Sequence, residues 1–391
     1  MAAVPDRRWW AGVLLAALAA RLAWLGAWQA LDLVSRFGYD PYITIAKFWL
    51  GMGPAWLDVT HPPLYSAWVA LIFSVLGRPS LMAVQLFNVV LSALTCLLVG
   101  LWAERAGSKA LGRLAGLWAA FDPLLVFFAA QVQSEPFFLF LELLFFLLLL
   151  RAGNPPSALA AFGLGVFGGL ASLARSVFGL FPPFLFLALF WPRRREHRAW
   201  LWLLLLAGWA LAPSLWGLRN LSRHGAFIPL AINGGWNLWE GFSLDRDVVR
   251  GRPAEMGDEL EKAGIARDDA ILGGEYFSRK TKAFILEQPA EAAKIVAGKF
   301  LLYWRPWPYD PHDARIRAVL GVYFCVLFAL ALFGLPRLWR LSAFWPVFAL
   351  FVYLSLLHSV FFTSLRYRSP LEPFLCVFAA AGLQRLLKED A

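Results

Sequence analysis

Asp40 stands in Phe37-Gly38-Tyr39-Asp40-Pro41-Tyr42, among aromatic residues and just ahead of a short helical run, Tyr42 to Leu50. A carboxylate in that setting can act as general base on a hydroxyl. The same residue suits an N-cap, with Pro41 at the first helical position, and the two roles are compatible. His61, in Asp58-Val59-Thr60-His61-Pro62-Pro63-Leu64-Tyr65, can hold a metal, a phosphate or an acceptor, or simply occupy the turn before two prolines. Glu135 follows Gln131, Gln133 and Ser134 at the start of an apolar run. It either serves a site there or opens the helix, because a carboxylate at that depth is costly unless paired or solvated.

Four arginines extend the set. Arg175 lies between two apolar runs, Arg219 follows another, and Arg366 and Arg368 flank Tyr367 ahead of the last one. A guanidinium grips phosphate through two parallel hydrogen bonds and stabilises a phosphate that gains charge as it leaves. The alternative is snorkelling to lipid headgroups. Asn233-Gly234-Gly235-Trp236-Asn237-Leu238-Trp239-Glu240-Gly241 offers amides and indoles of the kind that recognise sugars, Asn233, Trp236, Asn237 and Glu240 among them, with Tyr42 a further candidate. A glycine-rich turn packed on a membrane surface is the other reading of that stretch. Glu142 and Arg21 fall inside apolar runs, and neither is assigned to a site.

The elements that must hold these residues are membrane helices. The 391 residues are 60% hydrophobic and 16% charged, well under the roughly 25% charged residues usual in soluble proteins. Apolar runs long enough for a bilayer recur, giving about ten spans: Trp9–Ala30, Leu81–Ala103, Leu114–Ala130, Glu135–Leu150, Ala158–Leu173, Val177–Trp191, Trp200–Gly217, Val319–Pro336, Ala343–Phe362 and Leu371–Leu387. Met1 to Ala30 starts basic and turns apolar, but Arg21 and Gln29 stand where a cleavage site would fall, so it reads as a retained first helix.

The net charge of +10 fits cytoplasmic loops facing anionic lipid, and no basic soluble domain suggests nucleic-acid binding. Cys96, Cys325 and Cys376 lie in apolar context without metal-ligand spacing, so neither a disulfide framework nor a metal cofactor is expected, although a divalent metal stays open. Arg7/Arg8, Arg105/Lys109/Arg113, Arg193 to Arg198, Arg337/Arg340 and Arg385/Lys388 all fall on the cytoplasmic side only if Pro63 to Gly77 lies along the outer surface as an interfacial helix. That topology divides the chain into an N-terminal membrane module over 1–218 with its first outer loop over 31–80, an extracytoplasmic segment over 219–317, and C-terminal membrane helices over 318–391. Asp269 to Gln288 and Pro289 to Trp304 read as amphipathic helices within that segment.

In order and placement these motifs resemble the GT-C superfamily of polyprenyl-phosphate-sugar glycosyltransferases, in the branch with protein O-mannosyltransferases and lipid A aminoarabinose transferases. The resemblance rests on Asp40, His61-Pro62-Pro63-Leu64-Tyr65, Ser134-Glu135, Trp216-Gly217-Leu218-Arg219-Asn220, Asn233 to Gly241, and Arg366-Tyr367-Arg368-Ser369-Pro370-Leu371-Glu372-Pro373. It implies an all-α polytopic fold and an inverting sugar transfer on the outer face. A polyprenyl-phosphate-linked sugar would be the donor, membrane lipid the surroundings, and a protein, lipid or glycan the acceptor. Asp40 matches the family's first-loop acidic base; Pro41 stands where many members carry a second acidic residue. A transporter or lipid flippase is the alternative, and it calls for polar residues along a path through the midplane.

Overall fold

The computed structural model describes residues 6–33, 41–53, 58–153, 156–190, 199–242, 253–267, 269–308 and 314–387. Asp40 and the basic cluster over 193–198 lie outside them. Regular structure among the described residues is all helical. The first half comprises α1 (Arg7–Ala30), α2 (Tyr42–Trp49), α3 (Pro63–Leu76), α4 (Leu81–Ala106), α5 (Lys109–Phe121), α6 (Pro123–Ala129), α7 (Glu135–Arg151), α8 (Ala158–Ala174), α9 (Pro182–Phe190) and α10 (Ala199–His224). There follow α11 (Gly234–Phe242), α12 (Pro253–Lys262), α13 (Ala270–Glu287), α14 (Pro289–Tyr303), α15 (Ala314–Leu338), α16 (Trp345–Val360), α17 (Leu365–Arg368) and α18 (Glu372–Leu386).

Five described helices are long and apolar enough to cross a membrane, and six if one bent pair counts as a span, so this is an integral membrane protein and ten spans is an approximate figure. The bent pair corrects one expectation. The sequence predicts a continuous span over Leu114–Ala130; instead α5 and α6 meet at 53°. Asp122 ends α5 and caps α6 by accepting from the Leu124 and Leu125 amides at 3.0 and 2.9 Å, while Pro123 cannot continue the preceding ladder. Likewise Val177–Trp191 opens as a 3-10 turn over Ser176–Phe178 before Pro182 starts α9. Helix α3 has 14 residues, about 21 Å at 1.5 Å each, too short for a bilayer core of about 30 Å.

Close packing rests on small residues, as membrane helices require when lipid is as apolar as the side chains. A Cβ on Gly165 would lie 2.1 Å from the Leu205 carbonyl, and one on Gly169 2.4 Å from that of Trp209, so α8 and α10 touch backbone to backbone. Gly382 against Leu330 brings α18 onto α15 in the same way. The bundle interior is less apolar than the sequence suggests. Arg21 is fully buried and donates to Ser92 Oγ and to the carbonyls of Ala17, Ala119 and Ala120. Tyr323 donates to Asp122 at 2.6 Å. Glu142 is fully buried, and neither of its oxygens has a hydrogen-bond partner among the described residues.

Candidate functional site

Glu135 opens α7, where Pro136 gives up no needed amide and the helix N-terminus favours a negative charge. Its carboxylate is fully buried. Arg175, whose extended backbone ends α8, reaches it at 2.6 Å, and Arg366 from α17 pairs with the same oxygen. One carboxylate oxygen thus meets two guanidinium groups. Burying this carboxylate without partners would cost several kcal/mol, roughly. The other carboxylate oxygen of Glu135 has no hydrogen-bond partner among the described residues.

The first loop docks beside this group. The Tyr42 and Ser134 hydroxyls lie 3.2 Å apart. Tyr42 meets the His61 ring edge-on at 5.0 Å and the Tyr65 ring at the same distance. Asn88 donates to the Tyr65 hydroxyl at 2.9 Å and to the Gln131 carbonyl at 2.8 Å. The chain immediately after Asp40 is therefore held against the N-terminus of α7. Tyr367 completes the wall, with Arg175 lying 5.9 Å from its ring centre. Burial raises the Tyr367 phenol; Arg366 and Arg175 oppose that shift, and Glu240 and Glu135 add to it. Glu240, on α11, thus lies within electrostatic reach of the same group, and burial raises its own carboxyl.

A second polar centre adjoins the first. Asp58 is almost fully buried. Arg219 forks onto both its oxygens, Trp49 Nε1 donates to it at 2.7 Å, and His224 Nε2 lies 3.0 Å away. Burial raises the Asp58 carboxyl, but the Arg219 hydrogen bond, the Trp49 indole, the Arg219 charge and His224 together hold it below its ordinary value. These contacts edge a groove of about 570 Å³ lined by Trp49, Leu64, Trp216, Arg219 and Arg223 among others. Asp58 is a hub that no sequence signal singled out, because its partners lie nine to 166 residues away. The Ile232 amide donates to the Val59 carbonyl at 3.0 Å, tying this loop to the Asn233 segment.

The candidates therefore divide. Tyr42, His61, Glu135, Arg175 and Arg366 converge, Arg219 sits in the adjoining centre, and Glu240 faces Tyr367. Asn233 and Asn237 form the first turn of α11 and are half-buried. Trp236 is committed to the fold: its indole donates to the Ala270 carbonyl at 3.2 Å and packs on Phe277, so the expected open stacking face is covered by α13. Arg368 is also corrected. It is fully buried, pairs with Glu372 at 2.9 Å, donates to the Arg305 carbonyl and lies over the Phe324 and Phe328 rings. Two residues after Arg366, it turns into the bundle instead. No group of three or more His, Cys, Asp and Glu side chains among the described residues is arranged to hold a metal ion.

Residues 60–216 match the family model of dolichyl-phosphate-mannose-protein mannosyltransferases, a stretch that carries His61, Glu135 and Arg175. No curated protein matches. Among solved structures, the apo oligosaccharyltransferase of Archaeoglobus fulgidus superposes with a TM-score of 0.58 at 15% identity, over 98% of this chain and 51% of that one. The archaeal oligosaccharyltransferase AglB from Archaeoglobus fulgidus, in complex with an inhibitory peptide and a dolichol-phosphate, gives 0.56 at 14% identity, over 98% and 51%. The chain spans about half the length of the solved structures it matches, and at such identity the likeness is one of fold.

Proposed function

We propose that this chain is a membrane glycosyltransferase of the GT-C type that moves a sugar from a polyprenyl-phosphate donor to an acceptor hydroxyl on the extracytoplasmic face, with inversion at the anomeric carbon. The observation that carries the reading is the Glu135–Arg175–Arg366 group, a buried carboxylate held by two guanidinium groups. It lies against the segment that begins two residues after Asp40. The matched family is named for a dolichyl-phosphate-mannose donor, and one structural neighbour binds dolichol-phosphate, which supports a lipid-phosphate donor here.

In this reading the Asp40 carboxylate takes the proton of the acceptor hydroxyl as its oxygen attacks the anomeric carbon. The bond from that carbon to the phosphate oxygen breaks, and polyprenyl phosphate leaves with one more negative charge than it carried as a diester. Arg366 and Arg175 meet that charge where it develops. The acceptor is a protein, lipid or glycan hydroxyl, and the surroundings are the plasma membrane.

The test is Asp40→Asn, because Asn caps a helix about as well as Asp but is no base. Transfer of radiolabelled sugar from a lipid extract, by wild type and variant at matched expression, is the measurement. A loss of roughly 10²–10⁴-fold is expected for removal of a general base. Full activity in the variant would remove Asp40 from that role, and no transfer by wild type would favour the transporter alternative.

A further inference from the structure

The last turn of α16 carries a histidine that no motif explains. His358 is 3% exposed. Its ring stacks between two tyrosines, Tyr303 at 5.5 Å and Tyr367 at 4.8 Å between centroids. Tyr367 is the same ring that Arg175 approaches, so the imidazole belongs to the wall of the Glu135 group. Its Nδ1 lies 3.1 Å from the Phe362 carbonyl. A carbonyl oxygen only accepts, so Nδ1 carries the proton and donates. With the proton on Nδ1, the neutral ring leaves Nε2 as a bare acceptor. That Nε2 is buried and has no hydrogen-bond partner among the described residues.

An unused acceptor buried this deeply is expensive unless something donates to it. The Glu135 carboxylate oxygen left over from its ion pairs and the Thr363 hydroxyl are also buried without partners among the described residues. These atoms sit on chain segments that the Glu135 ion pairs and the Tyr367 stack draw together. Two of them are pure acceptors and one is a hydroxyl. A ligand that satisfies them must present several hydroxyl donors, as a hexose does.

We propose that His358 binds the transferred sugar, its Nε2 accepting a hydrogen bond from one sugar hydroxyl. The proposal rests on the transfer reading above and adds a specificity-determining residue to it. It predicts a difference between two substitutions. His358→Asn places an amide donor near Nδ1, keeping the link to Phe362, but offers no acceptor at the Nε2 position. His358→Gln places an amide oxygen near Nε2 and gives up the link. With polyprenyl-phosphate mannose as donor, His358→Asn should raise the donor KM about tenfold, the effect of one lost hydrogen bond, while His358→Gln stays within about threefold. One of the monodeoxy mannose donors should cost wild type about tenfold and cost His358→Asn nothing further, the mark of a direct pair.

If His358→Gln is impaired as much as His358→Asn, or every deoxy donor costs both proteins equally, His358 merely positions the loop and the proposal is overturned. If wild type turns over no donor, the transfer reading fails separately. The ¹⁵N resonance of His358 Nε2 then decides this proposal: a shift on adding polyprenyl-phosphate mannose supports sugar contact, and an unmoved resonance overturns it.

Discussion

Glu135 shares one negative charge between Arg175 and Arg366, and the difference between Arg366 and Arg368 shows how little sequence position says about a guanidinium. The first is 30% exposed and holds a buried carboxylate; the second is sealed among Phe324, Phe328 and Glu372. Their substitutions should therefore fail differently. Arg366→Ala removes one of the two guanidinium groups at the buried carboxylate, and its turnover should fall about a hundredfold, about 3 kcal/mol of lost transition-state stabilisation, with little change in melting temperature. Arg368→Ala leaves Glu372 buried without its partner, a change that typically costs about 3–5 kcal/mol of stability. Melting in detergent and donor kinetics on the two proteins separate these outcomes; equal kinetic loss at matched stability would return Arg368 to the phosphate site.

A buried lysine on α14 ties that helix to the end of α16. Lys299 is 2% exposed, donates to the Val360 and Phe361 carbonyls at 2.7 and 3.2 Å, and lies 4.4 Å from the Phe242 ring centre. Those carbonyls are the unpaired end of α16, and from them the chain runs on to Arg366, so the lysine anchors the loop that delivers the site arginine. Burial pushes its pKa down to about 7. Between about 7 and the ordinary value near 10.4 the unfolded chain keeps the proton that the folded chain releases, so stability rises with pH across that window. Thermal melts of wild type from pH 6.5 to 9.5 should show that rise, and Lys299→Met should flatten it. A wild-type melting temperature that falls over this range would show that the buried amine keeps its charge.

At the scale of the whole molecule, the distribution of basic residues predicts that 193–198 face the cytoplasm and 251–268 the opposite side. Single cysteines placed in each, probed with an impermeant thiol reagent on intact cells, should label only the second; labelling of both from one side would break the proposed topology. Much of this protein was legible in its sequence because the bilayer permits so few structures: apolar length alone requires helices, and capping residues and prolines such as Asp269, Pro63 and Pro289 mark where they begin. Sequence also named Glu135, Arg175, Arg366, Tyr42 and His61 among its wider group of candidates, since polar residues at the ends of apolar runs are few and need a reason. What it could not decide is which of them meet. Asp58 with Arg219 and His224, and His358 between Tyr303 and Tyr367, join residues from distant helices. Arg368 and Trp236 left the site because neighbouring helices offered them partners. Local chemistry determines that a polar group at a helix end must be satisfied; only the packing of the bundle decides whether protein or substrate does so.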